Sequence, residues 1–194
     1  YDLVIETLPS VLFRDLVLPE ATRTIVQITL GAIQVMTPGG ESAAFELYEA
    51  SFDKRLGSYT GVTSVAPGSY KAGIHNSLSE AVEVQPGDTA QVMLGTIRAL
   101  KPTGEDVAVD LYGESGRRLG SYDGAVLLAP GTYELGTHNC RSDRIDLAEG
   151  ETVEVVLGAI RPLGPNREEI IANFYDEQGR RLGSYGGEVL VGPG

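Results

Sequence analysis

The sequence predicts an all-β protein made of tandem, small antiparallel β-sandwich repeats of about 63 residues. Three observations lead there. The motif Arg-Leu-Gly-Ser-Tyr begins at Arg55, Arg118 and Arg181, a step of 63 each time. Leu-Gly-x-Ile begins at Leu30, Leu94 and Leu157, and the pairs Pro67-Gly68, Pro130-Gly131 and Pro193-Gly194 keep the same period. All nine tyrosines fall in three columns of that repeat: Tyr48, Tyr112 and Tyr175; Tyr59, Tyr122 and Tyr185; Tyr1, Tyr70 and Tyr133. A single residue breaks the register, because Tyr48 to Arg55 is seven residues where the other copies have six.

The copy over residues 94–156 shows each element most cleanly. Leu94-Gly-Thr-Ile-Arg-Ala-Leu100 reads as a strand ended by Lys101-Pro102, since proline has no ladder donor. Thr103-Gly-Glu-Asp106 is a turn. In the strand that follows, Val107, Val109 and Leu111 share one face, with Ala108, Asp110 and Tyr112 on the other. Gly113-Glu-Ser-Gly116 makes a tight hairpin into Arg117-Arg-Leu-Gly-Ser-Tyr122. A strand at Ala125-Val-Leu-Leu-Ala129 turns at Pro130-Gly131 into Thr132-Tyr-Glu-Leu-Gly-Thr-His138. Arg144-Ile-Asp-Leu-Ala148 and Thr152-Val-Glu-Val-Val-Leu157 complete the unit. No helical periodicity of ten or more residues occurs, and Ser10 to Arg14 has the weakest pattern.

Cut at Leu-Gly-x-Ile, the chain divides into 1–29 (the back half of a repeat), 30–93 and 94–156 (complete repeats) and 157–194 (a front half). Half-sandwiches leave strand edges unpaired. The two halves are therefore expected to be completed by a neighbouring chain or by flanking sequence. Tyr1 already lies in a strand pattern, as expected of a mature or excised segment with no signal peptide. A 63-residue unit alone buries only roughly 60% of its unfolded surface, so support from neighbours is expected.

With 15 basic and 27 acidic residues the net charge is −12, which argues against nucleic acid or anionic membrane as partner. No apolar run is long enough to span a bilayer as a helix, so no membrane insertion is expected. Cys140 is the sole cysteine and aligns with Ser77 and Leu8, so the position does not require sulfur.

His75 and His138 are repeat equivalents, each followed by Asn, and the third equivalent is Glu6. One histidine per repeat supplies no compact metal cluster, so hydrogen bonding at a loop start is the expected role. Ser58, Ser121 and Ser184 sit in Leu-Gly-Ser-Tyr within a strand, not in a nucleophile elbow. Glu105-Asp106 and Asp176-Glu177 lack calcium-loop spacing and read as solvated turn charges. Arg117-Arg118, Arg180-Arg181 and Lys54-Arg55 are expected to face carboxylates across strands or to protect an edge. A tyrosine after Pro-Gly is expected to bury its ring and bond its hydroxyl to backbone at a sheet corner. No catalytic residue, metal or cofactor is expected.

The Leu111-to-Gly116 hairpin, the Leu128-to-Tyr133 turn and the Gly150-to-Val155 strand, with their copies, resemble PEGA-type repeats. They also resemble the transthyretin-like, carboxypeptidase-regulatory-like β-sandwiches, which implies an immunoglobulin-like or prealbumin-like layout, although no literal Pro-Glu-Gly-Ala is present. The resemblance implies a bacterial surface or envelope protein, sometimes adjoining von Willebrand A-type domains. The expected role is then a non-catalytic stalk, spacer or fibre module whose partner is protein, either itself or neighbouring repeats. The alternative is an adhesion module that binds a glycan or protein through loops at one end.

Overall fold

The computed structural model describes residues 1–17, 23–51 and 54–192. It is all-β, with no helix among the described residues. The chain forms two compact units: Tyr1–Ile74 with Leu78–Leu94, and His75–Ser77 with Gly95–Gly194. Pro193-Gly194, the third copy of the Pro-Gly pair, lies outside the described residues, as do 18–22 and 52–53. The extra residue of the first copy lies between Tyr48 and Arg55, a stretch that includes 52–53, outside the described residues.

In the first unit, β1 (Leu3–Ile5) and β2 (Val11–Phe13) form an antiparallel pair, which gives structure to the segment whose sequence pattern is weakest. The repeat proper follows as β3 (Gly31–Met36), β4 (Ala44–Glu49), β5 (Lys54–Thr60), β6 (Val62–Val65) and β7 (Gly68–Ile74). Then come β8 (Ser77–Leu78), β9 (Val82–Val84) and β10 (Thr89–Met93). One sheet has the order β10-β3-β6, and in the other β4 lies between β5 and β7, with β9 also on β7. Ile33, Val35, Phe45, Leu47, Val65 and Tyr70 bury the facing sides.

The second unit repeats this plan with β11 (Gly95–Leu100), β12 (Val109–Gly113), β13 (Arg118–Tyr122) and β14 (Ala125–Leu128). β15 (Gly131–Thr137), β16 (Cys140–Arg141), β17 (Ile145–Leu147) and β18 (Thr152–Val156) complete that copy. Its sheets are β14-β11-β18 and β13-β12-β15-β16, with β17 also on β15. Ile97, Ala99, Val126 and Val155 from the first sheet meet Val109, Leu111, Tyr133 and Leu135 from the second in one core. The period-2 alternation of these strands is the cause, since it puts one apolar face of each sheet inward. The unit also holds β19 (Gly158–Ile160), β20 (Ala172–Tyr175), β21 (Arg181–Tyr185) and β22 (Val189–Val191), where among the described residues β19 pairs β22 and β20 pairs β21.

Two features depart from the strand reading of the sequence. The first and last strands of each complete repeat are parallel: Ile33 lies opposite Ala90, and Ile97 opposite Val153. A parallel pair needs a long crossover, and here the whole remainder of the repeat supplies it. Val107 also lies outside β12, and its N–H donates 3.1 Å to Ala99 O, so it continues the edge of the first sheet.

The glycine of Leu-Gly-x-Ile is explained by close approach of the sheets. A Cβ on Gly95 would stand 2.6 Å from Leu147 Cγ, inside the packed core.

Candidate functional site

The recurrent residues converge on two local constructions, a tyrosine-over-glycine strand and a His-Asn turn. In Arg-Leu-Gly-Ser-Tyr, glycine and tyrosine are two apart and share a face of the strand. The tyrosine ring folds back over the glycine: a Cβ on Gly57, Gly120 or Gly183 would lie 2.5, 2.7 or 2.5 Å from the hydroxyl of Tyr59, Tyr122 or Tyr185. Any side chain at the glycine displaces the ring. Gly120→Val is accordingly expected to cost about 1–3 kcal/mol through overpacking. Denaturant unfolding checks this, and an unchanged midpoint would show that the ring position contributes nothing.

The arginine and serine of the same motif face an acceptor on the neighbouring strand. Arg118 Nη2 donates to Asp110 Oδ1 at 2.7 Å, and the Ser121 hydroxyl bonds both Asp110 and Arg118. Arg55 contacts Glu46 at 2.8 Å and Ser58 Oγ at 2.7 Å, and Arg181 contacts Asn173 at 2.9 Å with Ser184 beside it. The basic residues of the motif thus do face polar partners across strands. Hydrogen bonds from Arg118 and then Ser121 hold the Asp110 carboxyl below its ordinary range. The three serine hydroxyls accept from arginine, and those of Ser121 and Ser184 also donate to the opposed Asp110 and Asn173 side chains.

The motif also carries a β-bulge at one place in every copy, between Leu47 and Tyr48, Leu111 and Tyr112, and Phe174 and Tyr175. The extra residues on the opposite strand are Leu56, Leu119 and Leu182. A bulge frees a carbonyl from the ladder, and in the second unit the His-Asn turn uses it. His138 and Asn139 have φ of 47° and 62°, and His75 and Asn76 have 49° and 62°, the paired left-handed residues of a type I′ hairpin. Asn139 Nδ2 donates 2.8 Å to Leu182 O, and Asn76 Nδ2 donates 2.8 Å to Leu119 O. The Tyr185 hydroxyl donates 3.0 Å to His138 O, and the Tyr122 hydroxyl donates 3.2 Å to His75 O. Each histidine ring meets the tyrosine edge-on at 5.1 Å between centroids. His138 Nδ1 lies 3.2 Å from Leu190 O, a carbonyl, so this contact uses the Nδ1–H tautomer.

Both histidines therefore sit in a turn that docks on a tyrosine, each accepting at its own carbonyl from that tyrosine hydroxyl, and the His138 ring also bonds the Leu190 carbonyl. Among the described residues no group of three or more His, Cys, Asp or Glu side chains could hold a metal. The acidic turns are paired with bases: Asp106 with Arg98 at 2.6 Å, Glu105 with Lys101 at 3.0 Å, and Asp176 with Arg180 at 2.6 Å. Cys140 is half-buried in β16, and burial raises its thiol pKa.

The tyrosine columns divide by environment. Tyr70 and Tyr133 are buried, and their hydroxyls donate 2.6 and 2.5 Å to Ala66 O and Ala129 O across the Pro-Gly turn, the corner geometry expected from the sequence. Tyr1, the third member, is 82% exposed. Tyr48 donates 2.7 Å to Glu46 Oε2, and Tyr112 lies under the Arg141 guanidinium at 3.9 Å. Tyr175 is exposed.

A further structural column does not stand out in the sequence. Ser79 and Ser142 are buried; each hydroxyl accepts from a strand N–H, of Ala72 at 3.0 Å or Leu135 at 2.9 Å. Each also donates 2.7 Å to the carbonyl one residue on. Their spacing of 63 is the signal that could have found them.

No family model matches the chain, and no curated protein matches it. Among solved structures it is similar to the Bacillus anthracis TIE protein, at 16% identity and a TM-score of 0.28, over 84% of this chain and 44% of that one. The chain thus spans less than half the length of that protein, and a likeness of this degree carries no functional argument.

Proposed function

We propose that this chain is a non-catalytic structural repeat module of a bacterial surface or extracellular protein, acting as a stalk, spacer or fibre element. The observation that carries the reading is the reuse of one docking geometry. The His-Asn turn meets the bulge carbonyl and tyrosine of the Leu-Gly-Ser-Tyr strand twice in the second unit, with the same partners each time. A surface specialised for chemistry has no reason to recur in this way, whereas a joint between repeats does. The surface location rests on the resemblance to PEGA-type repeats. The acidic charge disfavours nucleic acid, which leaves protein, first of all further repeats, as the partner.

Two of the turns that differ most between copies are engaged within the module, Asp106 by Arg98 and Arg141 by Glu134. That favours a spacer over a glycan- or protein-binding adhesin. A stalk carries load. Pulled from its termini, the chain is expected to unfold in discrete steps, each complete repeat releasing roughly 200 Å of contour at 3.3–3.6 Å per residue. Extension without discrete steps would overturn the reading. So would saturable binding to a glycan or protein that substitutions in the 102–106 and 165–169 turns abolish.

A further inference from the structure

In each complete repeat the first and last strands are neighbours and run the same way. β3 pairs β10 from Ala32 opposite Thr89 to Met36 opposite Met93, and β11 pairs β18 from Thr96 opposite Thr152 to Leu100 opposite Val156. Further backbone bonds extend each ladder at both ends. In the first repeat Ala32 N–H donates 2.8 Å to Asp88 O, and Leu94 N–H donates 2.8 Å to Met36 O. In the second, Thr96 N–H donates 2.8 Å to Glu151 O, and Leu157 N–H donates 2.8 Å to Leu100 O. Leu94 alone stands between β10 and β11, and Leu157 alone between β18 and β19. Both leucines are buried. Tension therefore passes from the last strand of one repeat into the first strand of the next with no loop to take up.

The direction of the pair decides how it meets that tension. A chain pulled from its two ends draws β11 by its N-terminal end and β18 by its C-terminal end. In a parallel pair these lie at opposite ends of the ladder. The strands are then driven past one another along their own axes, and every ladder bond is strained at once. An antiparallel pair in the same place would be drawn from one end and would open bond by bond. Sliding also drags packed side chains. Ile97 and Ala99, buried on the core face, lie opposite Val153 and Val155, and on the outer face Arg98 bonds Glu154 at 3.3 Å across the same pair. In the first repeat the buried Ile33 and Val35 lie opposite Ala90 and Val92. A slip of one residue turns the core side chains outward, so no neighbouring register preserves the core. The strands from β4 to β9, and from β12 to β17, lie in the chain between the paired strands. They feel no tension until the pair parts.

We propose that β3 with β10, and β11 with β18, are mechanical clamps, and that each complete repeat resists tension along the chain through shear of this one parallel ladder. The clamp deepens the stalk reading above and rests on it for its biological purpose, though not for its mechanics. While the ladder holds, the rest of the repeat is a closed loop outside the path of the force. When it fails, the whole repeat extends. No other pair of the second repeat has this geometry: β11 with β14, β12 with β13 and β15, and β15 with β16 and β17 are all antiparallel.

Single-molecule pulling in two directions tests the clamp. Cys140→Ser removes the native thiol, and serine already stands at the equivalent Ser77. Thr96→Cys and Thr152→Cys then give attachment points opposite each other at the N-terminal ends of β11 and β18, on the face that Arg98 and Glu154 share. Force between these points opens the ladder from one end, whereas force between the chain termini shears it. With far-ultraviolet circular dichroism unchanged, the terminal rupture force is expected to be severalfold the higher. A second measurement needs no substitution. The loading-rate dependence of the terminal steps is expected to place the barrier within about 3.3 Å, one residue's rise, of the folded length. Equal forces in the two directions overturn the clamp, and so does a barrier several residues along. Either result with discrete terminal steps removes the clamp and leaves the stalk reading standing. A clamp intact in both measurements, beside saturable glycan or protein binding that substitutions in the 102–106 and 165–169 turns abolish, does the reverse.

Discussion

Leu111→Ala is expected to lower the unfolding free energy of the second unit by about 3 kcal/mol, within the usual 2–5 kcal/mol for a buried leucine. Phe174→Ala, at the same position of the incomplete copy, is expected to cost roughly a third of that in the isolated chain. Leu111 is wholly buried, in one core with Ile97, Val126 and Leu135. Removing three carbons there leaves a cavity walled by two sheets, which can close only by moving strands. Phe174 is half-exposed over an open groove, so water takes the place of the ring and no enclosed void forms. Urea titrations of the two variants, followed by near-ultraviolet dichroism, give the comparison directly. Equal losses would mean that the third copy has a closed core in solution.

Much of this fold is legible in the sequence because its determinants are local and repeated. The Pro-Gly corner puts Tyr70 and Tyr133 in the core with hydroxyls on Ala66 and Ala129, and any tyrosine column after such a turn carries that signal. The alternation of Val109 and Leu111 with Asp110 and Tyr112 marks the inward face of β12. Other features are not legible. The parallel pairing of β3 with β10 and of β11 with β18 joins residues more than fifty apart, and strand periodicity is the same for parallel and antiparallel partners. The bulge at Leu119 has no composition of its own, yet its freed carbonyl is what Asn76 binds. His-Asn reads in sequence as the start of a loop. Its two left-handed residues make it a complete two-residue turn, a role usually signalled by Asn-Gly or Asp-Gly. Ser142 is hidden for a different reason, since a serine in a divergent stretch reads as surface. Only the structure shows its hydroxyl bonding the Leu135 N–H inside the sheet.

The buried corner tyrosines are expected to make the protein unfold in alkali, and Tyr70 gives the largest single effect. Burial, and after it the Glu49 charge, pushes its hydroxyl from an ordinary value near 10 up to about 12. The phenolate is the charged form, and it is favoured in the unfolded chain, where water solvates it. Below pH 10 the hydroxyl is protonated in both states, and its contribution to stability is fully present. Between pH 10 and 12 the unfolded chain gives up the proton while the folded chain retains it, so stability falls as pH rises. By pH 12 the loss amounts to about 2–3 kcal/mol, because each pH unit between the unfolded and folded values is worth about 1.4 kcal/mol. Tyr133 is displaced in the same direction by burial and adds to the slope in the second unit. Tyr70→Phe removes the hydroxyl and its bond to Ala66 O, at a cost of about 1 kcal/mol near neutral pH. The variant is therefore expected to be the less stable protein at pH 8. Between pH 10 and 11 the gap closes, and above pH 11 it is reversed, because the variant has no proton to lose at this site. Guanidinium unfolding midpoints of both proteins at half-unit steps from pH 8 to 12 locate the crossover. Parallel curves over the whole range would mean that Tyr70 titrates as an exposed phenol, and the corner would then have no part in holding the two sheets together.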